Sequence, residues 1–433
     1  MDKPRYPALT ATALGCGQDA LSLRDRERER RYIMNQRVTH RQMILLVLLL
    51  SISGTLIQPH AQAIYYAEQH AYLSYIPVVL VMLASMWMLS RVQRRFPDQD
   101  LFQALAGRFP FLGRLAGLMY ILFFFFVFAR DIRLTGDYIS ITLLETTPIS
   151  IIVLSLIVMG VFIVRGGLGS LIGMSELYVT LFLLNSVIVP FMLIQQINMD
   201  NLMPYFHVDV TGVGKGSWYI FSFYGEMIAL PFVIKGSDFR YKSVVSGIIL
   251  SALLMMLILV ETITSIGVPI ASRLVYPSYE LARQLQISDF LDRFDLALAA
   301  ATLPTMITKI AFDLYFVCWG LKRIIPNVSG KVLTGPIALV GFVCAFWFFR
   351  NAIQLNRFTR EWTWIAIVFE VMFPIVLFLF LRPRKKDKKE STQQRSGEQS
   401  KKEKHEPEQK SADSEKDGEK RRKDSHGGEL QPS

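Results

Sequence analysis

The sequence predicts an all-α polytopic membrane protein with ten transmembrane helices. Of its 433 residues, 52% are hydrophobic, 30 are Phe and 17 are Met, and the mean hydropathy is +0.33. Such values suit a chain dissolved in lipid. Ten apolar stretches approach or reach the roughly 20 residues that a helix needs to cross a bilayer. Charge is collected at the two ends and in the loops between the apolar stretches.

The net charge of +11 invites a nucleic-acid reading, and its distribution argues against one. Residues 1–33 hold 7 Lys/Arg against 5 Asp/Glu, and residues 384–433 hold 15 against 12, which leaves 25 against 19 between them. Loop charge of that kind follows the positive-inside rule and makes no basic groove. Cys16, Cys318 and Cys344 are scattered and odd in number, with no disulfide framework or metal spacing.

Composition divides the chain into three. Residues 1–33 form a polar extension ending in Arg24-Asp25-Arg26-Glu27-Arg28-Glu29-Arg30-Arg31, with no hydrophobic core of a secretory leader. Two readings stay open for it: a solvated cytoplasmic arm, or translation that starts at Met34. Residues 34–383 make the membrane domain. Residues 384–433 are Lys, Glu, Ser, Gln and Asp without an aromatic residue, and such a tail cannot bury enough surface to fold. Its first basic cluster is expected to touch anionic lipid head groups.

The ten spans are expected near 41–62, 72–90, 113–136, 147–165, 176–197, 217–236, 243–268, 293–321, 333–350 and 361–382. An even number puts both termini on one side of the membrane. Arg91, Arg94, Arg95 and Arg108 lie after span two, Arg165 after span four, Lys235, Arg240 and Lys242 after span six, and Lys322, Arg323 and Lys331 after span eight. The first linker, 63–71, has no Lys or Arg, so both termini are expected to be cytoplasmic. Arg273, Arg283 and Arg293, and Arg350, Arg357 and Arg360, run against this pattern. Residues 198–217 read as an exposed outer loop. Residues 276–293 read as an interfacial helix over the outer mouth, either a gate or a passive connector.

Span six holds the densest set of candidates. In Phe221-Ser222-Phe223-Tyr224-Gly225-Glu226-Met227-Ile228-Ala229-Leu230-Pro231, Gly225 and Pro231 loosen the backbone, and Glu226 is too costly to face hydrocarbon. A break like this is tolerated where it lines a cavity inside a bundle. Glu226 reads either as a ligand contact or as a buried structural carboxyl that holds the break open. In span one, Ser51-Ile52-Ser53-Gly54-Thr55-Leu56-Ile57-Gln58-Pro59 offers a second break whose free backbone groups suit a small zwitterion, or else a packing kink.

Span three carries Arg130, Asp131, Arg133 and Asp137. Arg133 and Asp137 are four apart and pair on one helix face. Asp131 has no basic partner at that spacing, which makes it the better candidate to face a pocket, unless these residues form a charge network near the outer surface. Span eight carries Thr305, Thr308, Lys309 and Asp313. Lys309 and Asp313 are expected to neutralise each other, and Thr308 offers a hydroxyl either to a ligand or to its own backbone. Glu261 and Glu370 are buried-charge candidates without assigned roles. Gly212-Val213-Gly214-Lys215-Gly216-Ser217 fails the spacing of a phosphate loop. No nucleophile–base set, metal set or cofactor motif is found, so an enzyme is not expected.

Several short motifs together resemble a known family. They are Val38-Thr39-His40-Arg41-Gln42, Gly54-Thr55 with Pro59, Leu143-Leu144-Glu145-Thr146-Thr147-Pro148, Gly166-Gly167-Leu168, Asn201-Leu202-Met203-Pro204, Phe223-Tyr224-Gly225-Glu226, and Tyr276-Pro277-Ser278 through Asp289-Phe290-Leu291-Asp292-Arg293-Phe294-Asp295. In this order and spacing, residues 34–383 resemble the permease-type B subunit of bacterial spore germinant receptors. The resemblance implies an amino acid/polyamine/organocation transporter fold, with spans one to five and six to ten as inverted repeats and spans one and six broken. It further implies a pocket for a small germinant, such as an amino acid or sugar, at Gly54, Thr55, Asp131, Phe223, Tyr224, Gly225, Glu226 and Thr308. Implied partners are a larger A-type membrane subunit and a C-type lipoprotein, in the inner spore membrane. An ion-coupled secondary transporter is the rival expectation. Two features depart from the family pattern: Asp131 stands where relatives often carry glutamate, and the charged tail is longer than usual.

Overall fold

The computed structural model describes residues 38–283, 294–325 and 330–381. The 1–33 extension, the 384–433 tail and residues 284–293 of the outer connector lie outside the described residues. All regular secondary structure among the described residues is helical.

Helix α1 (His40–Thr55) opens on a capping box. Thr39 accepts from the Gln42 backbone N–H, and Gln42 accepts from the Thr39 N–H at 3.1 Å. It ends after the small-residue cluster, and α2 (Pro59–Ala67) restarts on a proline whose missing N–H is no loss at a first helical position. Residues 56–58 are therefore the break. After a 3₁₀ stretch (Glu68–Ser74) come α3 (Tyr75–Gln93), the short α4 (Leu101–Arg108), α5 (Leu112–Thr142), α6 (Ile149–Arg165) and α7 (Gly167–Leu193).

The second half repeats that order. Helix α8 (Val210–Tyr224) gives way at Gly225 to a 3₁₀ turn (Gly225–Ala229) and then to α9 (Leu230–Val233). Then follow α10 (Tyr241–Ile266), the short α11 (Val268–Ala271) and α12 (Pro277–Arg283), α13 (Phe294–Ile324), α14 (Gly330–Phe348) and α15 (Ala352–Ile367). A π turn (Val368–Met372) leads to α16 (Phe373–Phe380). Helices α5 and α13, third and eighth in the predicted series, are 31 residues each.

The packing shows the inversion. The late half of the first broken helix, α2, lies against the early half of the second, α8. Short α4 packs on α9, and its counterpart α12 packs on α2. Each short helix thus abuts the late half of the broken helix belonging to the other repeat.

Among the described residues, six helices are long and apolar enough to cross a membrane, and His40–Thr55, Ile149–Arg165 and Val332–Phe348 are shorter apolar helices. Large apolar side chains such as Phe162, Phe191 and Trp347 stand exposed on the outside of the bundle. That is untenable in water and natural in lipid. The chain is an integral membrane protein.

One sequence expectation shifts. Span six was expected from residue 217, whereas α8 starts at Val210 with the Asp209 side chain accepting from the Thr211 N–H at 2.9 Å. The glycines read as loop are helical because they let α8 close on its neighbour. A Cβ at Gly212 would collide with the Tyr66 carbonyl, and one at Gly216 would lie 2.5 Å from the Ser74 hydroxyl. In the described part of the outer connector, Pro277, Tyr279, Leu281 and Ala282 of α12 are buried.

Candidate functional site

Gly225 interrupts α8 where the α5, α13 and α15–α16 helices converge on it. The break is supported from two sides. Gln93 at the end of α3 donates through Nε2 to the carbonyls of Pro231 (3.2 Å) and Ile234 (2.6 Å), closing the end of α9. Arg130 donates through Nη1 to the Ser222 carbonyl at 3.2 Å, meeting an acceptor near the end of α8.

Around this break lies a buried ion network. Arg130 donates to Asp131 through Nε (2.8 Å) and Nη2 (2.6 Å) and also pairs with Glu226. Lys309 of α13 pairs with Asp131, with Glu226 and, at 2.8 Å, with Asp313. All five residues are at most 3% exposed. The Arg130 guanidinium lies 4.3 Å from the Phe223 ring centroid and 5.6 Å from that of Trp362, so aromatic faces stand where water would otherwise solvate it. Two cations thus tie together α5, the α8 break and α13. Such a cluster holds together only while it is complete, because each buried charge depends on its partners.

The expected same-helix pairs are both present: Arg133 Nε lies 3.0 Å from Asp137, and Lys309 meets Asp313. Asp131, with no basic partner at that spacing on its own helix, belongs to the charge network. Its partners are the neighbouring Arg130, whose long side chain folds back, and Lys309 on another helix. Glu226 likewise faces two cations.

The other candidates divide. Gly54 packs on Phe223, where an added Cβ would sit 3.0 Å from Cδ1. Gly225 lies against Glu370 of the π turn, and a Cβ there would collide with the carboxyl group. Tyr224 turns away from the network: it donates to the Ile248 carbonyl (2.7 Å) and contacts the Ser251 hydroxyl (2.6 Å) on α10. Thr55 donates to the Ser51 carbonyl, and Thr308 to the Pro304 carbonyl at 2.6 Å. Both hydroxyls serve their own backbone.

A cavity of about 50 Å³ opens beside the α1 break, and none of the eight candidates lines it. Leu56, Ile57, Tyr138, Asn185, Glu261 and Tyr276 are among its walls. Glu261 Oε1 and Asn185 Nδ2 are buried without a hydrogen-bond partner. A larger polar cavity of about 580 Å³, lined by Glu145, Arg273, Glu280 and Arg283, shares Tyr276 and Tyr279 with the inner one. The Tyr279 hydroxyl donates to the Thr142 carbonyl at 3.0 Å, bracing that partition. Asn185 was missed because a lone amide in an apolar span carries no spacing signal. Arg130 was missed as a bridge because adjacent residues on a helix ordinarily diverge.

The family described as "Spore germination protein" matches residues 37–353. The chain YfkT of Bacillus subtilis (strain 168), named for spore germination, is 31% identical over 318 residues, covering 73% of this chain and 88% of that one. Spore germination protein KB of the same organism is 22% identical over 382 residues, covering 84% and 99%. Spore germination protein A2 is 23% identical over 302 residues, covering 67% and 80%. Among solved structures, the nucleobase-cation-symport-1 family transporter Mhp1, closed with bromovinylhydantoin bound, aligns with a TM-score of 0.46 at 15% identity over 75% of this chain and 74% of that one. A mutant of the Eremococcus coleocola manganese transporter aligns with a TM-score of 0.48 at 11% identity over 79% and 78%. With most of its membrane domain matched, this chain belongs to the spore germination protein family of permeases.

Proposed function

We propose that this chain is the nutrient-sensing subunit of a spore germinant receptor, a ten-span protein of the inner spore membrane with both termini in the cytoplasm. It binds a small germinant, an amino acid or a sugar, and passes a conformational change to an A-type membrane subunit and a C-type lipoprotein. The observation that carries the reading is the cavity beside the α1 break, with Glu261 Oε1 and Asn185 Nδ2 left without partners behind a tyrosine partition. Unpaired polar groups in an apolar hollow are costly, and a small polar solute satisfies them. The carboxylate suits an ammonium group, and the amide N–H suits an acceptor.

In this reading the ion network is the joint that moves. Asp131, Glu226, Phe223, Gly225 and Gly54 connect the two breaks, while Thr55, Tyr224 and Thr308 serve structure. A solute seated at residues 56–57 shifts the population between two arrangements of the breaks only as far as it prefers one of them.

The test is germination of spores that hold this receptor as the only one, against a nutrient panel, paired with binding and uptake in vesicles containing this chain. A germinant response with saturable binding and no uptake supports a sensor. Concentrative uptake by the chain alone assigns it instead to ion-coupled secondary transport. Absence of any response or binding removes the reading.

A further inference from the structure

Beside the network sits a group that it does not use. Glu370, in the π turn between α15 and α16, is fully buried, and neither of its carboxyl oxygens has a hydrogen-bond partner. Its carboxyl rests on Gly225, at the interruption of α8.

The charged groups that bear on it are few and already engaged. Glu226 approaches from the α8 break, Arg130 from α5 and Lys309 from α13. Tyr120 of α5 donates its hydroxyl to the Phe369 carbonyl at 2.8 Å and not to Glu370. On α3, Tyr75 contacts His60 at 2.9 Å, and Arg91 is exposed over Trp87. Arg357, Arg360 and Glu361 of α15 are exposed, and α16 has no titratable residue. Around the break, four carboxyl groups (Asp131, Glu226, Asp313, Glu370) thus share two cations, and both cations are held by the first three. A fourth anion would be desolvated, without a hydrogen bond, and repelled by Glu226.

We propose that Glu370 is a proton-binding site, occupied by a proton while its carboxyl rests on Gly225. It sits within the π turn, a departure from regular α-helix, with its carboxyl against the α8 break. Ionised, the carboxylate is drawn to Arg130 and Lys309 and competes with Glu226 for them. Proton occupancy and the arrangement of the break are therefore linked, each biasing the other. This holds whatever solute the chain takes.

The experiment is infrared spectroscopy of the full chain in vesicles at neutral pH, comparing wild type with Glu370→Gln. The expected result is a carbonyl stretch of a protonated carboxylic acid in wild type, downshifted in heavy water and lost in the variant. Unchanged spectra between the two overturn the proposal. Thermal unfolding supplies the second reading. Glutamine is isosteric with the neutral acid, so Glu370→Gln should unfold at the wild-type temperature near neutral pH. Marked destabilisation or failure to fold means that an ionised, paired Glu370 was lost, and this overturns the proposal as well.

Discussion

Lys309 and Asp131 meet across 178 residues of sequence, joining α13 to α5 inside the bundle. Each is also bound to Glu226 or to a partner of Glu226, so the α8 break is held between them. Lys309→Met keeps the length of the side chain and removes its charge, leaving Asp131, Glu226 and Asp313 with Arg130 alone. The loss of stability should be about 3–5 kcal/mol, as for other buried charges stripped of a partner. Equilibrium unfolding in detergent measures it. Adding Asp131→Asn should recover part of the loss, with a coupling of about 0.5–3 kcal/mol, and strictly additive losses would show that the two do not interact.

Gly225 and Glu370 make a second such pair, this one steric. Gly225→Ala places a methyl group against the Glu370 carboxyl, and overpacking of this kind costs about 1–3 kcal/mol. Glu370→Ala removes the obstructing group and should suppress the defect in the double variant, read again by unfolding. If the second substitution does not help, the constraint on Gly225 is conformational and not this contact.

How far the sequence reveals such relationships depends on their range. The two breaks are legible because glycine, proline and a lone carboxylate have local consequences: Pro59 and Pro231 cannot continue a hydrogen-bond ladder, and Glu226 cannot face lipid. Pairs at i, i+4, Arg133 with Asp137 and Lys309 with Asp313, follow from helix geometry alone. Partners set by tertiary packing do not. Asp131 looks free until Lys309 arrives from another helix, and Tyr224 looks like a pocket residue until Ser251 of α10 is beside it. The helical Gly212–Gly216 run misleads because glycine signals a loop in water, whereas between packed helices it signals close approach.

The cavity and the network make opposite demands on substitution. Glu261→Gln alters a carboxyl group whose Oε1 has no hydrogen-bond partner in the fold. It should leave stability near wild type while weakening binding or response to an amine-bearing solute by about ten- to a hundredfold, the worth of a hydrogen bond to a charged group. Thr308→Val removes a hydroxyl that bonds only to Pro304. It should cost about 1 kcal/mol or less in stability and leave the solute response unchanged. A dose–response series on purified chain in vesicles distinguishes the two, and the reverse order of effects would move the solute site to α13.

Asp100 gives the pH dependence a handle outside the membrane spans. It caps α4, accepting from the Gln103 N–H at 2.9 Å, and lies 2.8 Å from Arg323 at the end of α13. The Arg323 guanidinium is in turn 4.2 Å from the Trp319 ring centroid. Burial pushes the Asp100 carboxyl above its ordinary value of 3.8, outweighing the opposing pull of Arg323 and the Gln103 N–H. A folded value above the unfolded one means that folding takes up a proton between the two. The contribution is therefore fully present below the ordinary value, is lost as pH rises through the raised one, and is level above it. Asp100→Asn keeps an oxygen for the cap and should abolish that slope. Asp100→Ala loses the cap as well and should cost about 1 kcal/mol more at neutral pH. Unfolding temperatures across an acidic pH series measure both, and a wild-type slope of the opposite sign would mean that Arg323, not burial, sets the state of Asp100.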